Sequence, residues 1–195
     1  ADGGDGGKGG NSSHGGTGDG IIVQLLNILP LSVITTNLLA PVLTALGLNG
    51  YQMTVEGSSA ADTLGVIGNT TLTGGAGADK LVGGSGTDTA SYADAKASVR
   101  ASLANPPINT GDAGGDTYSS VENLLGSAFN DRLIGNSGAN KITGDRGNDT
   151  ITGGNGADDF SFRVGFGRDA ITDFQNNIDD IDLQSYNFSS ISSVL

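Results

Sequence analysis

Acidic and amide side chains recur at a fixed spacing of nine residues in the second half of this chain. Residues 126–161 read as four copies, GSAFNDRLI, GNSGANKIT, GDRGNDTIT and GGNGADDFS. Each copy places Gly first, Asp or Asn sixth and a large apolar residue eighth. A repeat this strict indicates that each copy forms one turn of a coil, stacked on its neighbours. Carboxylates at the sixth position would then lie in register, where charges of one sign need a cation between them.

Different positions of the repeat would have different roles in binding that cation. Gly in the first half permits positive φ and close approach, so the loop can turn its carbonyl oxygens inward. The sixth side chain adds a carboxylate, and Ca²⁺ takes about six to eight such oxygens at flexible geometry. The repeats therefore predict several Ca²⁺ ions between loops. The eighth residue is expected in a short strand that points into the core, as Leu133, Ile142, Ile151 and Phe160.

A second block of the same repeat lies upstream. Residues 65–91 read GVIGNTTLT, GGAGADKLV and GGSGTDTAS, with Leu72, Leu81 and Ala90 at the core positions. A further copy, GSSAADTL at residues 57–64, precedes them one residue out of phase. The alternative, Gly- and Asn-rich surface turns of an ordinary β protein, is disfavoured by seven copies, three in frame in the first block and four in frame in the second.

A turn of such a coil has two edges, so successive loops are expected on opposite sides. Loops eighteen residues apart would share a side and could share an ion. The expected pairs are Asp131 with Asp149, Asn140 with Asp158, Glu122 with Asn140, Asp62 with Asp79, and Thr70 with Asp88. The Thr70 site lacks one carboxylate and is expected to be the weakest.

These features resemble the RTX family, the hemolysin-type calcium-binding repeats, over residues 57–183. The stretches DTASYADAKASVRASLA and GGDTYSSVENLLGSAFNDRLIG resemble the spacer between RTX blocks. The segment FSFRVGFGRDAITDFQNNIDDIDL resembles the C-terminal cap. The resemblance implies an all-β, calcium-binding parallel β-roll of two RTX blocks with spacer and cap. It also implies export by type I secretion machinery and folding outside the cell.

The resemblance further implies which atoms bind the ions. Carbonyl oxygens at positions two and four would join the sixth-position side chains, and the cap would complete the last sites. The implied ligands are Asp62, Gly75, Gly77, Asp79, Gly84, Gly86, Asp88, Glu122, Asp131, Asn140, Asp149, Gly154, Gly156, Asp158, Asp169 and Asp173. Asn140 and Thr70 replace the family's Asp, and Phe129 replaces its fourth-position Gly. The loops that contain them need not hold an ion fully.

Composition agrees with a thin, metal-dependent fold. The hydrophobic fraction is 36%, Gly numbers 34, and the net charge is −12. Without cations this charge opposes compaction, so calcium binding would be part of folding. There is no Cys for disulfides, and nine scattered Lys and Arg argue against nucleic acid.

The N-terminal quarter differs from the rest. Residues 1–20 form a Gly-rich tail, and residues 20–55 carry no charge. Pro30 and Pro41 interrupt this apolar segment, which makes membrane insertion unfavourable. We predict two short helices, at residues 21–29 and about 41–46, that cap the roll or offer an assembly surface. The expected organisation is 1–20 tail, 21–56 apolar segment, 57–91 first block, 92–125 spacer, 126–161 second block, and 162–195 cap with a possible secretion signal.

Catalytic motifs are absent from the sequence, so we expect no enzyme activity. The favoured interpretation is a secreted, extracellular or cell-surface calcium-binding protein that self-assembles, as a homo-oligomer or polymer, into a surface layer, filament or matrix. The alternative is the C-terminal secretion and folding module of a larger RTX enzyme, toxin or adhesin. A calcium buffer or ligand-binding module that acts alone is a third class.

Overall fold

The strands of this protein are short and repeat at regular intervals. The computed structural model describes residues 21–22, 53–66 and 68–183. Its strands are β1 (Ile21–Ile22), β2 (Met53–Glu56), β3 (Thr63–Gly65), β4 (Thr70–Thr73), β5 (Lys80–Val82), β6 (Thr89–Ser91), β7 (Arg100–Ser102), β8 (Thr117–Ser119), β9 (Asn123–Leu125), β10 (Arg132–Ile134), β11 (Lys141–Thr143), β12 (Thr150–Thr152), β13 (Asp159–Ser161), β14 (Ala170–Ile171) and β15 (Asp180–Asp182). Two 3-10 helices, Pro106–Ile108 and Gly111–Ala113, interrupt the spacer.

All pairings between these strands are parallel. One long sheet has the order β1-β2-β4-β6-β9-β11-β13-β15, and two shorter sheets have the orders β14-β12-β10-β7 and β3-β5-β8. Within each block, successive strands alternate between the long sheet and a shorter one. The chain therefore winds as a β-solenoid, and the predicted parallel β-roll is confirmed.

The number of copies per turn corrects the sequence interpretation. Leu133 pairs with Ile151, and Ile142 pairs with Phe160, each two copies further along the chain. Each nonapeptide is therefore half a turn, and a full turn takes two copies. The reason is that one loop and one three-residue strand cover only one side of the coil. The predicted alternation of loops between two edges is confirmed.

The core of the two repeat blocks is a column of eighth-position side chains, drawn alternately from the long sheet and a shorter one. Those of both blocks are fully buried: Leu72, Leu81, Ala90, Leu133, Ile142, Ile151 and Phe160. Spacer residues such as Tyr92, Val99 and Ala113 extend the column. Flanking strand residues face outward, which gives most repeat strands one buried central position. Full burial of a Leu or Ile side chain contributes about 1.5–3 kcal/mol, so the column is the main apolar stabilisation of the coil.

The spacer and the cap continue the coil. In the long sheet β6 pairs directly with β9, with Ala90 opposite Leu124, so the two blocks share one sheet. The spacer adds β8 beside β5 and β7 beside β10. The cap adds β14 beside β12 and β15 beside β13.

The N-terminal segment departs from its prediction at the point where the structure describes it. Ile21–Ile22 form a strand that pairs with Met53 and Thr54, so the predicted helix does not begin at Ile21. Pairing with β2 at the edge of the long sheet gives hydrogen-bond partners to the backbone groups of this strand. The rest of that segment, the Gly-rich tail and residues 184–195 lie outside the described residues. In the described ranges no helix is long and apolar enough to cross a membrane.

Truncating one residue of the core column tests this architecture. Leu133→Ala should lower the free energy of unfolding by about 2–5 kcal/mol, because it leaves a cavity in a one-residue-thick core. Denaturant unfolding at saturating calcium measures the change. Arg132→Ala, at the exposed neighbouring position, is the control and should cost far less; equal losses in the two variants would contradict the single-column core.

Candidate metal centre

The sixth-position side chains form columns along the edges of the coil, because each lies at or immediately before a short strand. The column of the long sheet contains Thr70, Asp88, Glu122, Asn140, Asp158 and Asp179. The columns of the shorter sheets contain Asp62, Asp79 and Asp116, and Asp131, Asp149 and Asp169. Stacking of parallel strands thus fixes the spacing of the carboxylates.

A backbone-to-carboxylate hydrogen bond joins neighbours in each column. The Asp62 N–H donates to Asp79 Oδ1 at 2.7 Å, and the Asp131 N–H donates to Asp149 Oδ1 at 2.8 Å. The Asn140 N–H donates to Asp158 Oδ1 at 2.9 Å. Asp88 Oδ1 accepts from the Thr70 N–H in the same way. The structure therefore brings the predicted pairs into neighbouring loops.

The Glu122–Asn140 pair meets differently. The Asn140 side-chain Nδ2 donates to the Glu122 carbonyl oxygen at 2.6 Å. The Glu122 carboxylate instead contacts the preceding residue of the column, since its Oε2 accepts the Asp88 N–H at 2.9 Å. The two residues are thus neighbours, but their contact is a hydrogen bond from the Asn140 side-chain amide to the Glu122 backbone carbonyl.

Among the described residues, four of the sixth-position carboxylates keep one buried oxygen without a hydrogen-bond partner. They are Asp79, Asp88, Asp149 and Asp158, and in each the free atom is Oδ2. All four side chains are at most 2% exposed. A buried polar atom left unpaired costs about 1–3 kcal/mol, and more if it is charged. A cation beside each oxygen would remove that cost.

Backbone carbonyl oxygens of one loop point at the next loop on the same edge. A β-carbon built on Gly75 would lie 2.1 Å from the Ser58 oxygen, and one on Gly77 would lie 2.7 Å from the Ala60 oxygen. Both glycines have positive φ, at 93° and 137°. Gly at positions two and four therefore lets the later loop lie close to the carbonyl oxygens of the earlier one, where a β-carbon would clash.

The second block repeats this arrangement. A β-carbon on Gly154 would lie 2.0 Å from the Asn136 oxygen, and one on Gly156 would lie 2.5 Å from the Gly138 oxygen. Sequence reasoning named only the glycines of the later loops and missed the facing carbonyls of the earlier ones, Ser58, Ala60, Asn136 and Gly138. The sequence could have identified these residues, because they occupy positions two and four of the copies two places earlier in the chain.

The donor set suits a hard cation. Carbonyl and carboxylate oxygens are the ligands that Ca²⁺ prefers, and it accepts them at irregular geometry. Among the described residues, no three Asp, Glu, His or Cys side chains cluster as a metal site would require. The carbonyl oxygens must therefore supply most of any coordination shell, and they are positioned between the loops to do so.

Burial makes the stacked carboxylates hard to ionise without a cation. Burial raises the pKa of Asp149 to about 7, and the nearby Asp169 and Asp131 charges add to the shift. Burial likewise raises the pKa of Asp88 to about 6, with a further increase from Glu122. Burial is also the main cause that raises the pKa values of Asp79 and Asp158. A divalent cation would reverse these shifts by favouring the ionised form.

The cap supplies acidic residues to the last loops. Asp169 Oδ1 accepts the Asp149 N–H at 2.9 Å, and Asp173 accepts the N–H groups of Gly153 and Gly154. Both predicted cap residues thus contact the second block. Asp116 and Asp179 occupy column positions that sequence reasoning missed, because the spacer and cap break the nine-residue frame. The remaining signal was an Asp directly before a short strand.

Comparison with known proteins agrees with the geometry. The family model described as the RTX calcium-binding nonapeptide repeat matches four copies, at residues 64–91 and 125–160. These repeats bind multiple Ca²⁺ ions. No curated protein matches the chain.

The close approach of neighbouring loops can be tested by adding a methyl group between them. Gly154→Ala places a methyl group against the Asn136 oxygen, so we expect more than about a tenfold rise in the half-saturating calcium concentration, equivalent to about 1.4 kcal/mol. Isothermal titration calorimetry measures it. Gly165 also has positive φ, at 86°, but its β-carbon would meet nothing within 4 Å. Gly165→Ala therefore controls for backbone strain alone, and an equal effect in both variants would show that the close approach of the loops does not affect calcium binding.

Proposed function

This chain carries RTX calcium-binding nonapeptide repeats, and on that premise we propose that it is a secreted protein whose folding is driven by extracellular calcium. The observation that carries the proposal is the set of four sixth-position carboxylates, each with one buried oxygen that has no partner in the described structure. The desolvation of these oxygens and the repulsion between them oppose folding of the coil. Bound cations would offset both costs.

Other charges near the columns do not replace the cations. Lys141 makes ion pairs of 2.8 Å and 2.9 Å with Asp159 and Asp182. Both partners lie on the long sheet outside the sixth-position columns. With 21 acidic and nine basic residues in the whole chain, protein cations cannot neutralise the loops. Calcium is the remaining source of positive charge that fits oxygen ligands.

The energies support a switch in folding. Each site adds about 1.4 kcal/mol when free calcium is roughly tenfold above its dissociation constant. Several such sites together approach the about 5–15 kcal/mol stability of a typical domain. Extracellular calcium modules bind at about 10⁻⁴–10⁻³ M. At such affinities the coil would be unstable at the low calcium of a cytosol and stable outside the cell.

Self-assembly into an extracellular layer, filament or matrix is the second part of the proposal. Residues 20–55 are free of charge and rich in Leu and Ile. In the cap, Val164, Ile178 and Ile181 are 67%, 50% and 48% exposed. Exposed apolar groups of this kind favour association between copies. The folded coil would present them in a fixed arrangement only when calcium is bound.

Calcium-driven folding predicts a transition in circular dichroism. Adding calcium to chelated protein should produce the β signal cooperatively and reduce the hydrodynamic radius, because charge repulsion disappears as the sites fill. Magnesium at the same concentration is the control and should act weakly, since it demands regular octahedral geometry. Identical spectra and radii with and without chelator would refute calcium-driven folding.

Self-assembly predicts calcium-dependent growth of particle size. Sedimentation velocity and negative-stain microscopy should show oligomers or polymers at saturating calcium and smaller species after chelation. The physical reason is that apolar surface is ordered for contact only on the folded coil. A calcium-saturated monomer at high concentration would count against assembly and favour a module within a larger protein.

A further inference from the structure

The sheet on one side of the coil runs through both blocks, and the sheet on the other side is interrupted. On the long-sheet side, β6 of the first block pairs directly with β9. On the opposite side, β8 is the end strand of the sheet that contains β3 and β5, and β7 is the end strand of the sheet that contains β10. Among the described residues no strand pairing joins β8 to β7. Side chains of the spacer make the connection there.

The side-chain amide of Asn109 contacts both of these end strands. Its Oδ1 accepts the N–H of Ser102 in β7 at 2.8 Å. Its Nδ2 donates to the hydroxyl of Tyr118 in β8 at 3.0 Å. Asn109 is buried, so losing either contact would leave a polar group without a partner in the interior. The amide therefore fastens the edge of one short sheet to the edge of the other.

Tyr118 extends this connection toward the first block. The Tyr92 hydroxyl donates to Asp116 Oδ2 at 2.8 Å and also contacts the Tyr118 hydroxyl. A hydroxyl has one hydrogen to donate, so Tyr118 must donate to Tyr92. The other oxygen of Asp116, Oδ1, accepts the N–H of Asp79, directly before β5, at 2.8 Å. We call the four side chains of Asn109, Tyr118, Tyr92 and Asp116 the spacer network.

The second block holds the other end of this series of hydrogen bonds. β7 pairs in register with β10, where Ser102 lies opposite Ile134. Asp131, directly before β10, accepts the N–H of Val99, directly before β7, at 2.8 Å. A continuous series of hydrogen bonds therefore runs from Asp79 in the first block to the strand that the second block holds.

The spacer network is expected to form or open as a unit. Asn109, Tyr92 and Asp116 are 7%, 3% and 1% exposed, so water cannot readily replace a lost partner. In a buried chain of this kind each hydrogen bond strengthens the next, and a partly satisfied network is unfavourable. The network closes only when β7 lies on β10 and Asp79 lies beside Asp116, which requires both blocks to be folded.

We propose that the spacer network couples the two repeat blocks, so that calcium-driven folding of either block favours folding of the other. When the second block is unfolded, β7 loses its partner strand and Asn109 loses its fixed contact with Ser102. The network then opens, and Asp116 no longer holds the N–H of Asp79. The coupling acts equally in the reverse direction. This inference rests on the proposed calcium-driven folding and adds its regulation, because coupled blocks respond to calcium at one concentration.

A calcium titration that observes each block separately tests the coupling. Hydrogen–deuterium exchange with mass spectrometry follows protection at residues 63–91 and 132–161 of the full chain. The unmodified chain should gain protection in both blocks at the same calcium concentration. Asn109→Ala should separate the two half-saturating concentrations by about fivefold or more, as expected when coupling between sites is lost.

Two further variants accompany this titration. Tyr92→Phe keeps the ring and removes only the hydroxyl, so it should also separate the two concentrations. Asn105→Ala changes an exposed Asn of the same spacer that makes no side-chain cap hydrogen bond, and it should leave both concentrations unchanged. If Asn109→Ala and Tyr92→Phe raise the two concentrations equally, the network has only a structural role and the coupling is overturned.

A substitution outside the network provides an independent test. Leu72→Ala weakens the core of the first block, and coupling predicts that it raises the half-saturating concentration of the second block as well. An unchanged second block overturns the coupling, even if the network variants do not reach native protection. If the unmodified chain gains no protection with calcium, the proposed function fails. Protection that appears in its two blocks at different concentrations defeats the coupling alone.

Discussion

Stacked, buried negative charge is the constraint on which the rest of this structure depends. Parallel pairing of three-residue strands places the sixth residue of every second loop directly above its neighbour. The N–H groups of Asp62 and Asp131 each donate a hydrogen bond to one oxygen of the next carboxylate in the column, Asp79 or Asp149. The other oxygen stays buried and unpaired. Under the proposed function, bound cations would offset this cost, and backbone carbonyl oxygens would supply many of their ligands.

The fold was predictable from sequence because its signal is periodic. Gly, Asp and an apolar residue recur at fixed positions, and these gave the β-roll, the two edges and the core column from Leu72 to Phe160. The number of copies per turn was misjudged, because a period of nine does not reveal whether one or two strands complete the coil. The start of a helix at Ile21 was wrong, because apolar composition does not distinguish a helix from an edge strand.

The site was predictable in part. The pairs of loops and the cap contacts of Asp169 and Asp173 follow from spacing and resemblance. Which carboxylates keep an oxygen without a hydrogen-bond donor does not follow from spacing, because it depends on whether the second residue of the loop adopts positive φ. Gly is readily recognised there, but Asp145 adopts φ of 68° without being Gly. The Tyr92 hydroxyl donates a hydrogen bond to Asp116 Oδ2 within the irregular spacer, where no period could reveal the contact.

The junction between the blocks has a consequence for how the coil forms. Within a block, paired strands are separated by about two copies, so each new turn closes a short loop and should add rapidly. At the spacer, Lys80 pairs with Thr117 and Thr89 pairs with Asn123. Closing these longer loops costs more chain entropy before contacts compensate for it. Pairing across the spacer is therefore expected to be a slow step in folding. The two blocks can nucleate separately and then join, so folding of the coil need not proceed from a single end.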